Sequence, residues 1–227
     1  MPSRARRTSR PAPKAEKQFP VDDEQFTQLA DDVKAHGRTM LPRKRLWMLW
    51  QCVGNVAPLE GGAAEVGAYQ GGSAYFIAAS FAARLGHEVP LEVIDTFAGH
   101  PPGKLSGHDS PVHADETKFA ATSYESVVEY LGAFEQVTVR QGDFSTIAPE
   151  LPEQRYRLVH VDVDLYVPAL ECLNYFGPRL VPGGIVVLDD YGKPTCPGIR
   201  RAAEEFLAAG GFQAWNALTR QLVLVKR

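Results

Sequence analysis

Two short runs set carboxylates in pairs directly behind apolar stretches. LVHVDVDLYVP carries Asp162 and Asp164, and VVLDDYGKPTCPG carries Asp189 and Asp190. A Val/Leu-rich run of this length reads as a buried strand, so each pair stands where a strand ends. If the two strands are neighbours, their ends lie about 4.8 Å apart. Four carboxylates then meet at the C-terminal rim of the sheet, where open α/β sheets bind ligands. Two such charges about 4 Å apart repel by roughly 4 kcal/mol at an effective dielectric of about 20. A shared proton, a nearby Arg or Lys, or a bound cation must relieve that repulsion. An all-oxygen cluster suits a hard ion, and magnesium before calcium, because no EF-hand-like loop is present. Helix caps or surface loop acids are the alternative, better suited to a lone Asp-Asp than to two pairs each behind a strand.

A second group of residues could hold an organic ligand. AEVGAYQGGSAYF reads as strand, turn and helix start, with Glu65 before the turn, Gly67, Gly71 and Gly72 in it, and Ser73 at the head of the helix. Glycines let a ligand approach the backbone closely, and a helix N-terminus offers free N–H groups. The spacing G-x-x-x-G-G is not the dinucleotide fingerprint G-x-G-x-x-G. The charge of Glu65 also suits a cation better than a pyrophosphate. LEVIDTF ends its strand at Asp95, where an acid typically binds the ribose hydroxyls of an adenosine-type ligand. RQGDF sets Asp143 and Phe144 past a third strand. The carboxylate could accept from an exocyclic amine, and the ring could either cover a purine or pack inward. His160 shares a strand face with Leu158 and Asp162 and reads as a satisfied core histidine rather than a catalytic one. His100, His108 and His113 fall in one loop, at a spacing that makes no zinc site; substrate contact by one of them stays open.

The elements that position these groups alternate. β-rich runs fall at 63–66, 91–94, 137–140, 158–163, 185–188, 212–217 and 221–225, with helical stretches at 73–85, 124–131, 168–176 and 199–209. Thr122 with Glu125 is read as a capping box for the second of these helices. Such alternation predicts an α/β fold, doubly wound around a mostly parallel seven-stranded sheet covered on both faces. Two helices precede it. Asp22 or Asp23 caps one whose Phe26, Leu29, Ala30 and Val33 recur at helical spacing and which ends at Gly37; Pro42 opens another with Leu46, Leu49, Trp50 and Val53 on one face. Trp47 and Trp50 are read as packing residues. The segment 97–116 has no periodicity and is expected to be a functional cover or disordered. The domain plan is therefore a disordered basic arm over 1–20, a helical cap over 21–57 and a ligand-binding α/β domain over 58–227.

Charge narrows the function. Residues 1–19 hold six of the 24 basic residues and one of the 27 acids, leaving 18 against 26 in the remainder. So acidic a body argues against a general nucleic-acid binder. Three cysteines with no CxxC pair predict neither a disulfide framework nor zinc and fit a reducing cytosol. The longest apolar stretch, 76–83, is far below the ~20 residues of a membrane helix. A cytoplasmic protein with no membrane partner is expected. The N-terminal helices could either cover the site or make a dimer contact, which leaves a homo-oligomer open.

Taken in order, these motifs resemble a class I S-adenosylmethionine-dependent methyltransferase, and most closely the macrocin O-methyltransferase family with its mycinamicin and novobiocin sugar O-methyltransferases. RTMLPRKRLW, AEVGAYQGGS, DTFAGHPP, VDVDLY and LDDYG followed by Cys196 carry the likeness, from about residue 37 to 206. The resemblance implies a Rossmann-like class I methyltransferase fold. It implies that Glu65, Gly67, Tyr69 and Ser73 line the methionine part of the cofactor, Asp95 and Thr96 the ribose, and Asp143 and Phe144 the adenine, with Thr39 and Met40 closing over it. It also implies that Asp162, Asp189 and Asp190 bind Mg2+ and that Asp164 is the general base. Val163, Val167-Pro168 and the composition of 98–116 depart from the family pattern, so the acceptor is left open. The expected reaction is methyl transfer to a hydroxyl, as of a sugar diol on a glycosylated antibiotic-type product. A metal-dependent methyltransferase of a catechol or other phenol is the near alternative. An NAD(P)-dependent oxidoreductase on the same fold, and a non-catalytic cofactor binder, are the distant ones.

Overall fold

The computed structural model describes residues 23–227. The basic arm and Asp22 as an alternative cap lie outside the described residues. The strands are β1 (Gly62–Val66), β2 (Leu91–Asp95), β3 (Val137–Gln141), β4 (Tyr156–Val161), β5 (Leu180–Leu188), β6 (Phe212–Asn216) and β7 (Leu222–Lys226). They form one sheet in the order β3-β2-β1-β4-β5-β7-β6. The first five pair in parallel, and β7 runs antiparallel between β5 and β6. Strand order reverses between β1 and β4, so a crevice opens beyond their carboxyl ends.

The helices are α1 (Glu24–Ala35), α2 (Arg43–Val56), α3 (Gly72–Leu85), α4 (Tyr124–Leu131), the short α5 (Phe144–Ile147), α6 (Tyr166–Arg179) and α7 (Pro197–Leu207). Alternate strand residues serve opposite layers. Ala63, Leu158, Ile185 and Val187 pack with Phe26, Leu49, Trp50 and Phe76 beneath α1–α3. Ala64, Val159, Val161, Val186 and Leu188 pack with Phe144, Phe176 and Ile199 beneath α5–α7. By that parity Glu65 and His160, paired across β1 and β4, belong to the α1–α3 side. Asp23 caps α1 through the Phe26 amide at 2.8 Å and also accepts from Trp50 Nε1 at 2.8 Å, pinning the two first helices together. Trp50 is buried under the Arg84 guanidinium, and Trp47 packs edge-on against Phe26, so both are packing residues as expected.

Several expected boundaries move. β4 ends at Val161, so Asp162 and Asp164 stand on the loop beyond the strand, and β5 begins at Leu180 rather than 185. Pro42 is the cap residue of α2, just outside its first turn. The capping box at Thr122 is not formed. Ser123 caps α4 by accepting from the Ser126 amide, while the Thr122 hydroxyl donates to the Tyr69 carbonyl at 2.9 Å. A tertiary contact claims the first hydroxyl, and its neighbour takes over the cap. The segment after β2 is a folded cover containing a 3-10 turn at Pro111–His113. Among the described residues, no helix is long and apolar enough to cross a membrane.

Candidate active site

At the switch point lies an open cleft, where open α/β sheets bind ligands. Its wall includes Thr39, Met40, Gly67, Tyr69, Ser73, Asp95, Thr96, Asp143 and Phe144, together with Asp162, Asp164 and Asp190. Of the residues expected at the site, only Glu65 and Asp189 are off the wall, buried behind it.

The part of the cleft beside β1 and β2 is built mainly from backbone. Gly67 has φ +92°, and a Cβ there would lie 2.0 Å from the Asp162 carbonyl oxygen, so only glycine fits. A Cβ at Gly72 would meet the Arg38 backbone and Thr39, which shows how closely the 38–40 segment lies across the start of α3. Asp95 accepts from the amides of Tyr69 and Phe97, each at 2.7 Å. Burial raises its carboxyl above the usual range, and the two amides pull it partly back. Thr96 donates to the Gly99 carbonyl at 2.5 Å and so shapes the start of the cover. Asp143 caps α5, bonds Ser145 Oγ at 2.8 Å and lies 3.2 Å from Lys104 Nζ. Phe144 packs on Phe176 and Tyr175 while one side meets the cleft.

The acidic rim is built from side chains. Val161 and Leu188 are paired, and the Asp189 amide donates to the Val161 carbonyl at 2.8 Å, so both Asp pairs do meet. Two layers are visible. Behind the wall, His160 Nδ1 is 2.7 Å from Glu65 Oε1 and its Nε2 is 3.4 Å from Asp189 Oδ2. Burial disfavours the imidazolium, but the two carboxylates outweigh it and lift the His160 pKa to about 10. His160 is thus a satisfied, charged core residue. On the wall, Arg45 from α2 lies 2.9 Å from Asp189 and 2.7 Å from Asp190, and Lys193 lies 2.6 Å from Asp190 and 3.4 Å from Asp164. Burial pushes the Asp190 carboxyl up, yet Lys193 and Arg45 prevail and hold it below the usual range. Asp162 is the opposite case: burial, then the Asp189 charge, drives it well above. Asp164 accepts from the Cys196 thiol at 3.0 Å.

These residues fit a hard divalent cation. Burial and the Asp189 charge disfavour the ionised form of Asp162, and a cation bound beside Asp162, Asp164 and Asp190 would offset both. Asp190 Oδ1 is buried without an aligned hydrogen-bond donor despite its nearness to Arg45. The available donors are carboxylate oxygens, which suit magnesium. Asp164 and Asp190 also hold left-handed φ values of +59° and +58°, as do Tyr69 and Phe119 on the same wall. Such strain gathers where surrounding structure over-determines a site.

Sequence reasoning left the counter-charges unassigned. Lys193 follows Asp190 by one helical turn and could have been read from that spacing; Arg45 lies in a distant helix and had no local signal. It also missed that the cover docks on the rim. His113 is buried, 2.9 Å from the Thr195 carbonyl and 3.1 Å from His100, while His108 packs on Tyr166 outside this contact.

The model of the macrocin-O-methyltransferase (TylF) family matches residues 4–216. Mycinamicin III 3''-O-methyltransferase of Micromonospora griseorubida is 28% identical over 196 residues, 81% of this chain and 75% of that protein. A tetracenomycin-C 4'-O-methyltransferase of Streptomyces olivaceus, named for an 8-demethyl-8-(2,3-dimethoxy-alpha-L-rhamnosyl) substrate, is 32% identical over 177 residues, 74% of this chain and 68% of its own. The solved O-methyltransferase NovP superposes with a TM-score of 0.73 at 26% identity, covering 84% of this chain and 82% of that one. The nicotinamide-enzyme alternative falls with these matches. The chain belongs to the macrocin-O-methyltransferase family and is an S-adenosylmethionine-dependent O-methyltransferase.

Proposed function

We propose that this enzyme methylates a hydroxyl of a vicinal diol on the sugar of a glycosylated natural product, with Mg2+ held by Asp162, Asp189 and Asp190 and with Asp164 as general base. The observation that carries the reading is the cluster of Asp162, Asp164 and Asp190 on one wall of the cleft beside the glycine turn, with Asp190 Oδ1 buried and lacking an aligned donor. The two relatives named for methylation at sugar positions, 3'' and 4', support the acceptor class.

In this reading Gly67, Tyr69 and Ser73 line the methionine part of S-adenosylmethionine, with Glu65 supporting the turn from behind. Asp95 and Thr96 serve the ribose, Asp143 and Phe144 the adenine, and Thr39 and Met40 close over the ligand. The donor is already activated, so the protein must align an oxygen with the methyl and take its proton. A bound magnesium ion lowers the pKa of a sugar hydroxyl and orients it. Asp164 receives the hydroxyl proton as the oxygen–methyl bond forms, and the sulfur keeps the electron pair of the bond that breaks. Lys193 and Cys196 restrain the Asp164 carboxylate while it waits. His160 and Arg45 would hold the Asp189 carboxylate in place for the ion. For the phenol alternative the cleft has little aromatic surface in its cover: Phe119 meets the cleft, but Phe97 packs inward against Tyr124.

The test is transfer from labelled S-adenosylmethionine to a panel of rhamnosides, other sugar diols and catechols, with EDTA and magnesium add-back. Labelling of sugar diols that stops in EDTA and returns with magnesium is expected. Full turnover in EDTA removes the metal, and labelling of catechols alone replaces the acceptor class.

A further inference from the structure

We propose that His100 is a specificity residue that accepts a hydrogen bond from a hydroxyl of the sugar substrate, in a ring tautomer dictated by His113. The inference rests on the sugar-diol reading for the identity of the ligand.

The tautomers follow from what each nitrogen faces. His113 Nε2 lies 2.9 Å from the Thr195 carbonyl oxygen, which can only accept, so Nε2 carries a proton. His113 Nδ1 lies 3.4 Å from Lys118 Nζ, a permanent donor beside which a second ring proton would be repelled. Nδ1 is therefore a bare acceptor. His100 Nε2 stands 3.1 Å from that same Nδ1, and two facing lone pairs would repel, so His100 Nε2 carries its proton and donates. A neutral His100 then has one nitrogen left, Nδ1, and it can only accept. Burial keeps the ring neutral by holding its pKa below the usual histidine range.

The position suits a reading role. His100 lines the cleft with Pro101 and Phe119, and ring nitrogens of His100 and His113 and an Asp164 oxygen all lie within 4.8 Å of one another. The wall thus sets the His100 ring and the Asp164 carboxylate side by side, and a vicinal diol brings two adjacent O–H donors. One hydroxyl would lose its proton to Asp164 while its neighbour is held by His100. His113 is nearly inaccessible and anchored to the Thr195 turn, so it is a positioning residue acting through His100.

The test uses full-length protein with 15N-labelled histidine, S-adenosylhomocysteine and magnesium at pH 7.5. Long-range proton–nitrogen spectra are expected to find His100 and His113 neutral and protonated at Nε2. Methyl α-L-rhamnopyranoside is expected to move the His100 Nδ1 resonance, and His113→Ala to leave His100 a mixture of tautomers. A His100 protonated at Nδ1, or one unmoved by the rhamnoside, overturns the proposal. Kinetics supply the second arm. His100→Leu is expected to raise the KM for the rhamnoside about three- to tenfold without altering that for S-adenosylmethionine, and His100→Asn, whose carbonyl can stand in for Nδ1, to recover most of it. An active wild type whose His100→Leu variant keeps its KM defeats this inference alone. A wild type that binds the rhamnoside at His100 yet methylates no diol defeats the functional reading instead.

Discussion

The two ends of the cleft are built by opposite means. The end proposed to hold the donor, around Gly67, Asp95 and Asp143, is made of three turns that follow β1, β2 and β3, whose carboxylates are largely committed to backbone amides and a helix cap. The acidic rim draws charged groups from α2, from the ends of β4 and β5, and from the turn before α7. Backbone amides do most of that work, with Lys104 beside Asp143 as the counter-charge there. A site built from side-chain charge needs counter-ions: Lys193 and His160 stand beside the Asp pairs in sequence, and Arg45 is brought from α2.

Substitutions can break or sharpen this contrast. Asp164→Asn should lower kcat by about 10²–10⁴-fold while calorimetry finds S-adenosylmethionine bound as before; an unchanged kcat would remove the base from the rim. Gly67→Ala should strike the other end, leaving little folded or cofactor-binding protein on a thermal melt, because the added methyl meets the Asp162 carbonyl. Arg45→Met should cost about 3 kcal/mol in EDTA, as for a buried ion pair that loses one partner, and magnesium should raise the Tm of this variant more than that of the wild type. Equal gains would mean that Arg45 and the ion do not answer the same charge.

The His160 ion pairs predict a pH signature. Its pKa is raised on folding to about 10, so the stability it contributes is complete below about 6.5 and drains away as pH climbs toward 10. Denaturant titrations should find wild-type stability falling over that window and a flatter profile in His160→Gln. Smallest of all, Lys104→Met removes ion pairs to Asp143 and Glu171 at the partly exposed donor end and should change stability by no more than about 1 kcal/mol. A larger loss would mean that the donor end also depends on charge.

The same contrast governs what could be read from the sequence. The central strands were legible because burial on two faces writes apolar runs, the half-exposed edges β3 and β6 because β-forming residues still recur in them, and the glycine turn because its parts are adjacent. The Asp pairs were legible because each sits on its own strand end. Arg45 was not, since only the packing of α2 on α3 and the sheet brings it to the rim. The cap of α4 was misplaced by one residue because Thr122 and Ser123 offer the same local chemistry, and only a contact with Tyr69 separates them. Asp189, expected at the rim alongside its neighbour, sits at its buried side, one carboxylate oxygen toward His160 and the other toward Arg45.

The contact between Gly67 and the carbonyl of Asp162 makes the two ends share a joint with no slack. A redesign aimed at new sugars therefore has a natural dividing line. On the proposed reading, the cover around His100 and Phe119 can be rewritten to fit another hydroxyl pattern, whereas any bulk added at the joint would disturb the proposed donor site and Asp164 together.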